Sequence, residues 1–274
     1  MTGPIPIVEG RHLDALALSP DGQRLGWYDR DAEMAGVFDL EAKQSVASWE
    51  GVGSQWRGVE IPLTFTPDGK RVAFYMVRRD QLMMADGLAL WNLETRDREA
   101  LLHIYVPKQT RGFAFARGGL YYGTRVEGPY QLRRWDLQTG EETVIDPEAR
   151  NGHFMDLLAS LSGYWLAEGD FEDDGIRVYD LEHGNRAVTI GQRNHVPVGW
   201  DAPTEWLFVS NGGVSVWDLA TGKQLGVIDA VSNNFRVTHV ESSKDGSLLV
   251  ARWWDLTQES GTPVRYHVGV LRVR

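Results

Sequence analysis

With 42% hydrophobic and 11% aromatic side chains, this 274-residue chain can bury a full core, and no apolar run reaches the ~18 residues that make a bilayer span, so no membrane partner is expected. A formal charge of −10 opposes a phosphate backbone and argues against nucleic acid as the main ligand; the lack of cysteine excludes disulfides and thiol chemistry. The opening Met1-Thr2-Gly3-Pro4-Ile5-Pro6 lacks the basic and apolar blocks of a secretory leader, so a cytoplasmic location is expected.

Residues 4–10 come first, and Ile5-Pro6-Ile7-Val8-Glu9-Gly10 resembles Val46-Ala47-Ser48-Trp49-Glu50-Gly51 further on. Pro4 and Pro6 suit an outermost strand, because proline cannot donate into a central ladder. Six units follow, at roughly 11–50, 59–106, 111–146, 153–191, 195–229 and 236–274. Each opens with a short apolar strand and a turn. The turns are Ser19-Pro20-Asp21-Gly22, Thr66-Pro67-Asp68-Gly69, Arg117-Gly118-Gly119, Leu161-Ser162-Gly163, the looser Ala202-Pro203-Thr204-Glu205, and Ser243-Lys244-Asp245-Gly246. Proline presets the backbone in such turns, aspartate bonds back to the main chain and glycine accepts positive φ.

After a second strand comes an anchor: Val37-Phe38-Asp39-Leu40, Leu90-Trp91-Asn92-Leu93, Arg134-Trp135-Asp136-Leu137, Val178-Tyr179-Asp180-Leu181 and Val216-Trp217-Asp218-Leu219. The aromatics are 53, 44, 44 and 38 residues apart, close to the period of about 40–45 expected of four-stranded propeller blades. A second turn and a fourth strand complete each unit. The turn is Gln138-Thr139-Gly140, Glu182-His183-Gly184 or Ala220-Thr221-Gly222, and the glycine-free forms are Glu41-Ala42-Lys43 and Glu94-Thr95-Arg96.

In the sixth unit the anchor strand is expected at 265–273 with Leu271 in the aromatic slot, which makes Trp254-Asp255-Leu256 a decoy at the end of the second strand. The pattern predicts an all-β, single-domain, six-bladed β-propeller over 1–274. Residues 4–10 supply the last blade's missing fourth strand and leave only protected edges. Trp27, Trp91, Trp135, Trp165, Trp206, Trp217 and Trp253 fall on second or third strands and are expected to fill the space between blades.

The Trp135-Asp136 and Trp217-Asp218 dipeptides, with the Pro-Asp-Gly turns, resemble the WD-repeat propellers over nearly the whole chain, in particular their degenerate, bacterial-looking members. Blades of that family carry Gly-His before the first strand; Gly152-His153 matches the pair, and His12 and His195 match its second half. The resemblance implies the fold; its members include scaffolds, binders and enzymes.

Short turns fall on one face of such a disc and long, irregular connections on the other. Binding groups tend to sit on variable loops held by a rigid scaffold. The partner-binding candidates are therefore Trp56, Arg57, Arg79, Met83, Met84, Arg111, Tyr130, Phe171, Phe235 and Arg236. Aromatics and Arg dominate binding hot spots, and Met adapts to a partner's shape. The plainer reading is that these side chains pack back over the blade ends.

The acidic run from Glu168 to Gly175 reads as a solvated hairpin loop, because it lacks the downstream glutamate of an EF-hand. Arg78, Arg79, Lys108, Arg111, Arg125, Arg133 and Arg134 form either a basic stripe or ordinary surface. His12, His153 and His195, at the starts of first strands, are expected to bond to backbone rather than metal. No nucleophile elbow, phosphate loop or dinucleotide motif is present, so no catalytic residue, metal or cofactor is assigned. The expected function is non-catalytic binding of another protein or peptide, with the oligomeric state left open. The alternative is a metal-dependent hydrolase or lactonase with channel acids among Asp14, Glu60, Asp156 and Glu241.

Overall fold

The structure, a computed structural model, describes residues 13–29, 32–50, 63–77, 85–102, 112–125, 130–147, 156–160, 162–169, 174–193, 195–201, 204–210, 213–228, 235–242, 248–255 and 266–272. All regular structure among them is antiparallel strand. The chain divides into two compact units, Met1–His153 and Phe154–Arg274.

The first unit holds three four-stranded sheets. They are β1 (Leu13–Leu18), β2 (Arg24–Asp29), β3 (Met34–Asp39) and β4 (Gln44–Glu50); β5 (Leu63–Phe65), β6 (Arg71–Val77), β7 (Ala85–Asn92) and β8 (Arg98–Leu102); and β9 (Phe113–Ala116), β10 (Gly119–Arg125), β11 (Tyr130–Asp136) and β12 (Glu142–Asp146). The second unit repeats the plan with β13 (Asp156–Ala159), β14 (Trp165–Gly169), β15 (Ile176–Asp180) and β16 (Arg186–Ile190), then β17 (Val196–Trp200), β18 (Leu207–Ser210), β19 (Val214–Asp218) and β20 (Lys223–Ile228). Its last sheet has three strands, β21 (Phe235–Ser242), β22 (Leu248–Asp255) and β23 (Tyr266–Arg272). Within every sheet the strands pair in chain order, each with the next.

One register relation recurs. The anchor aromatic always faces an aliphatic residue of the second strand: Phe38 opposite Leu25, Trp91 opposite Val72, Trp135 opposite Leu120, Tyr179 opposite Leu166 and Trp217 opposite Leu207. In the last sheet Leu271 takes that position opposite Leu249, while Trp254 and Asp255 end the second strand, as the repeat requires. Residues 4–10 lie outside the described residues.

Because side chains alternate across a strand, this register sends one set of residues to each face of a sheet. Trp49 of β4 packs on Phe74 and Trp91 of the next sheet, with ring centroids 5.5 and 4.9 Å away. Val37, Ala35 and Tyr28 join the same core, which runs on through Leu88 and Leu90 to Phe113, Leu120, Tyr122 and Trp135. In the second unit Val178, Ile176 and Ile190 meet Trp200, Leu207 and Val209, and Phe208 and Val214 meet Val237, Val240 and Ala251. The first strands of the last two sheets approach so closely that a Cβ on Gly199 would lie 1.8 Å from the Val240 carbonyl oxygen. Only glycine fits there.

Several expectations need correction or completion. Trp27 and Trp135 are buried, and Trp91, Trp165 and Trp217 are half-buried at the sheet-to-sheet cores, but Trp206 is 38% exposed. It precedes β18 and belongs to the turn, so its ring is not between sheets. On β1, Leu16 and Leu18 are 56% and 55% exposed although the strand reads as apolar core. Glu168 does not lie in a solvated loop. It lies within β14, is 3% exposed and accepts a 2.6 Å hydrogen bond from the Tyr179 hydroxyl. The Trp253 side chain is outside the described residues.

The Trp49 cluster generates a stability prediction. Trp49→Ala removes the ring that joins two sheets and is expected to cost about 3–5 kcal/mol. Trp91→Phe keeps an aromatic ring and loses an indole N–H that has no partner among the described residues, so it is expected to cost under ~1.5 kcal/mol. Urea unfolding followed by circular dichroism measures both.

Candidate functional site

Antiparallel order puts the first and third turns of every sheet at one end, and the second turn and the links between sheets at the other. The two ends differ in chemistry. At the short-turn end, polar side chains are engaged by their own turns. Ser19 Oγ donates to Asp21 Oδ1 at 2.5 Å and accepts the Arg24 amide at 2.9 Å, while Gly22, at φ 69°, donates its amide to the Ser19 carbonyl at 2.8 Å. Thr66, Asp68 and Gly69 repeat this geometry, with corresponding distances of 2.5, 3.0 and 2.8 Å. In the fourth sheet Ser162 replaces the aspartate, and its hydroxyl lies 3.1 Å from that of Ser160. The third sheet closes with a two-residue turn, Arg117 and Gly118, both at positive φ, as a tight hairpin demands.

The acid or amide of the anchor holds the third turn. Asp39 Oδ1 accepts the amides of Glu41 and Ala42 at 3.0 and 2.7 Å, and Asn92 Oδ1 those of Glu94 and Thr95 at 2.8 and 3.1 Å. Asp136 holds Gln138 and Thr139 at 2.9 and 3.0 Å; Asp180 holds Glu182 and His183, both at 3.0 Å. Asp218 takes the Ala220 amide and the Thr221 hydroxyl, both at 2.9 Å. The left-handed residue these turns need is Gly140 or Gly222 in two sheets, and Lys43 and Arg96, at φ 54° and 63°, in two others.

These bonds set the electrostatics. The Ser19 hydroxyl and Gln23 amide hold the Asp21 carboxyl below the usual range, and the Thr139 and Gln138 amides do so for Asp136. Burial alone would raise Asp68, but the Thr66 hydroxyl, the Lys70 amide and Arg71 together leave it lowered. Arg71 Nε also donates to Glu99 Oε2 at 2.5 Å. Arg133 pairs with Glu142 at 3.0 Å and Arg134 with Asp136 at 2.7 Å, so these two are ordinary ion-paired surface rather than part of a basic stripe. Burial pushes His195 down, and its Nδ1 accepts the Gln192 amide at 3.2 Å, which is the backbone role expected of it. Among the described residues no three His, Asp or Glu side chains are placed to hold a metal ion, and no helix is long and apolar enough to cross a membrane.

The strand ends that flank the candidate binding residues lie at the opposite end of their sheets. Tyr130 opens β11, opposite Arg125, and Phe235 and Arg236 open β21, opposite Asp255 and Trp254; each is a backbone position at the irregular end of its sheet. Trp56, Arg57, Arg79, Met83, Met84, Arg111 and Phe171 lie outside the described residues, within connections 51–62, 78–84, 103–112 and 170–175 between strands. Of the four channel acids, Asp14, Asp156 and Glu241 are on first strands and Glu60 is outside the described residues. Tyr164 and Trp206 are exposed at the short-turn end, although Trp206 is expected between blades and Tyr164 carries no expectation from the repeat. The departure of their turns from Pro-Asp-Gly was the available signal.

Arg96→Gly relieves left-handed strain of about 1–2 kcal/mol against ~0.4–1 kcal/mol of added chain entropy. A net gain of about 0.5–1 kcal/mol is expected in thermal or urea unfolding. For pH, the lowered carboxylates give stability that is full above their ordinary pKa near ~4 and lost as pH falls through the lower folded values. His195, also lowered, adds a loss that begins below about 6.5. The urea midpoint should thus fall gently below pH 6.5 and steeply below pH 4. Asp136→Asn, which keeps an acceptor as Asn92 does, should shallow the acid limb and leave the upper one unchanged.

No family model matches the chain, and no curated protein matches it by sequence. Solved structures do. U3-55K aligns over 90% of this chain and 78% of its own, at 12% identity and a TM-score of 0.64. The WD40 repeats of RRP9 align over 90% and 77%, at 12% identity and 0.64. A computationally designed protein, Ika8, aligns over 90% and 71%, at 17% identity and 0.58. With the recurring four-stranded sheets and their capped aromatic-Asp turns, these likenesses show that the chain has the fold of the WD-repeat β-propellers.

Proposed function

We propose that the chain is a non-catalytic scaffold, located in the cytoplasm, that binds another protein or a peptide through the irregular loop end of its blades. Its six sheets act as one six-bladed propeller, in which residues 4–10 add the fourth strand beside β23. The observation that carries this reading is the contrast between the two ends. The short turns reach at most from 201 to 206 and are held by the caps of the repeat, such as Asp39 and Asp136, whereas the other end carries 51–62, 103–112 and 256–265. A rigid frame that leaves its long connections free of the repeat's constraints is what a recognition surface needs. Trp56, Met83, Met84, Tyr130, Phe171 and Phe235 supply contact area, and Arg57, Arg79, Arg111 and Arg236 orient a partner. The WD-repeat neighbours support the frame. Among the described residues the last sheet has three strands where the other five have four, which leaves a place for this closure beside β23.

The test is affinity capture with mass spectrometry, wild type beside the double variant Trp56→Ala, Phe171→Ala. Each truncation is expected to cost about 2 kcal/mol or more of binding, roughly thirtyfold in Kd, with the melting temperature nearly unchanged. A variant that melts early and still captures the partner would make these packing residues. A tightly bound divalent ion in elemental analysis would favour the hydrolase reading instead.

A further inference from the structure

We infer that the short-turn end of the fourth and fifth sheets is a second docking surface, one that takes an arginine-bearing extended segment of a partner protein. Tyr164 and Trp206 are 40% and 38% exposed and are the large aromatics so placed among the described residues. They lie one repeat position apart at the same end of neighbouring sheets: Trp206 takes the place of Trp165, directly before the leucine that faces the anchor aromatic, and Tyr164 takes that of Glu205. The two turns are tied together, because the Ser162 amide donates to Glu205 Oε1 at 3.1 Å across a solvent-facing contact.

Glu205 is the informative residue. Its φ of 57° is a left-handed conformation that favours glycine or asparagine, yet a glutamate is kept there. That geometry turns the carboxylate toward the next sheet. One oxygen is held by Ser162, and the other has no partner among the described residues. A half-exposed acceptor is thus held on the Ser162 amide, with Trp206 next to it in the chain and Tyr164 two residues beyond Ser162.

The local charge balance selects the ligand. Arg186 stands opposite Asp180 and Lys223 opposite Asp218 in the strand register, and His183 Nδ1 lies 2.8 Å from Asp180 Oδ2, while Asp180, Glu182, Asp201, Glu205 and Asp218 outnumber the cations here. Glu182, exposed on the same end, has no ion-pair partner among the described residues. The unmatched charge is negative, on a chain whose formal charge is −10. A guanidinium suits this arrangement better than an ammonium, since its plane stacks on an aromatic face while its fork engages a carboxylate. The surface uses none of the irregular loops.

The experiment is fluorescence anisotropy on the full chain with a labelled Gly-Arg-Gly-Arg-Gly-Arg peptide and its Lys and Glu counterparts at physiological salt. The arginine peptide should bind most tightly and the glutamate peptide should not bind. Trp206→Ala, Tyr164→Ala and Glu205→Gln should each weaken the arginine peptide tenfold or more, while the Trp56→Ala, Phe171→Ala variant binds it like wild type. Circular dichroism melts identify any variant that fails to fold, and the remaining two then decide. No binding, equal affinity for the lysine peptide, or wild-type affinity in the folded variants would overturn the assignment and leave diffuse attraction to an acidic surface.

Discussion

The side-chain oxygen that follows each anchor aromatic sets the frame on which the rest of the structure depends. In Asp39, Asn92, Asp136 and Asp180 it gathers the amides two and three residues ahead, and in Asp218 the amide two ahead plus a hydroxyl. This pins the turn to one position relative to the aromatic. Strand side chains alternate with a period of two, so a slip of one residue would carry Trp91 or Trp135 to the opposite face of its sheet. The stacking of Trp49, Phe74 and Trp91 exists only in the pinned register. The dipeptide named for its tryptophan and aspartate thus joins two functions: the acid sets the register, and the aromatic converts that register into contact between sheets.

Asn92 separates geometry from charge. It holds its turn as its aspartate counterparts do and passes an Nδ2 hydrogen bond to Glu99 at 2.6 Å, which Arg71 also engages. The acceptor is therefore the requirement, and at Asp136 and Asp180, whose carboxyls are held below the usual range, the charge is an addition that makes folding sensitive to acid. Because these bonds are local to a turn, each sheet carries its own frame, and an amino-acid change in a long connection at the far end disturbs none of them. The turns that set the register and the long connections are separated along the length of every sheet.

That separation explains what could be read from the sequence. Turns tolerate few residue types, so Ser-Pro-Asp-Gly and aromatic-Asp-Leu disclose the sheets, and counting from them assigns Leu271 to a slot it shares with no other leucine and rejects Trp254-Asp255. Fourth strands have no such constraint. Their outer faces are open, and on β4 only Ala47 and Trp49 are buried, so nothing short of the structure distinguishes Trp49 as the link to the next sheet. Glu168 was obscured by the acids after it. Counted from Leu166, however, it stands where Trp27 stands from Leu25, Phe74 from Val72 and Tyr122 from Leu120, a position that is buried in each case. The offset was a better guide than the charge run. The loop candidates rest on the same logic of position and on no constraint of their own, which is why their end of the sheet was legible and their side-chain arrangement was not.

The fifth sheet shows what a departure from the repeat means. The Ser/Thr-Pro-Asp-Gly solution is used in the first two sheets, where it satisfies its own donors with glycine at positive φ. The fifth turn, 201–206, instead closes through Thr204 Oγ1 on Asp201 Oδ2 at 2.5 Å and places a glutamate in the left-handed region, at a cost of about 1–2 kcal/mol. In exchange it gains a bond to Ser162 of the neighbouring sheet and exposes Trp206. The first two sheets make a comparable link without strain, through Arg24 Nη1 on the Gly69 carbonyl at 3.1 Å. Joining two turns therefore does not require a left-handed glutamate. The feature that the fifth turn has and the first lacks is a carboxylate held beside an exposed indole, the combination on which the proposed second docking surface rests.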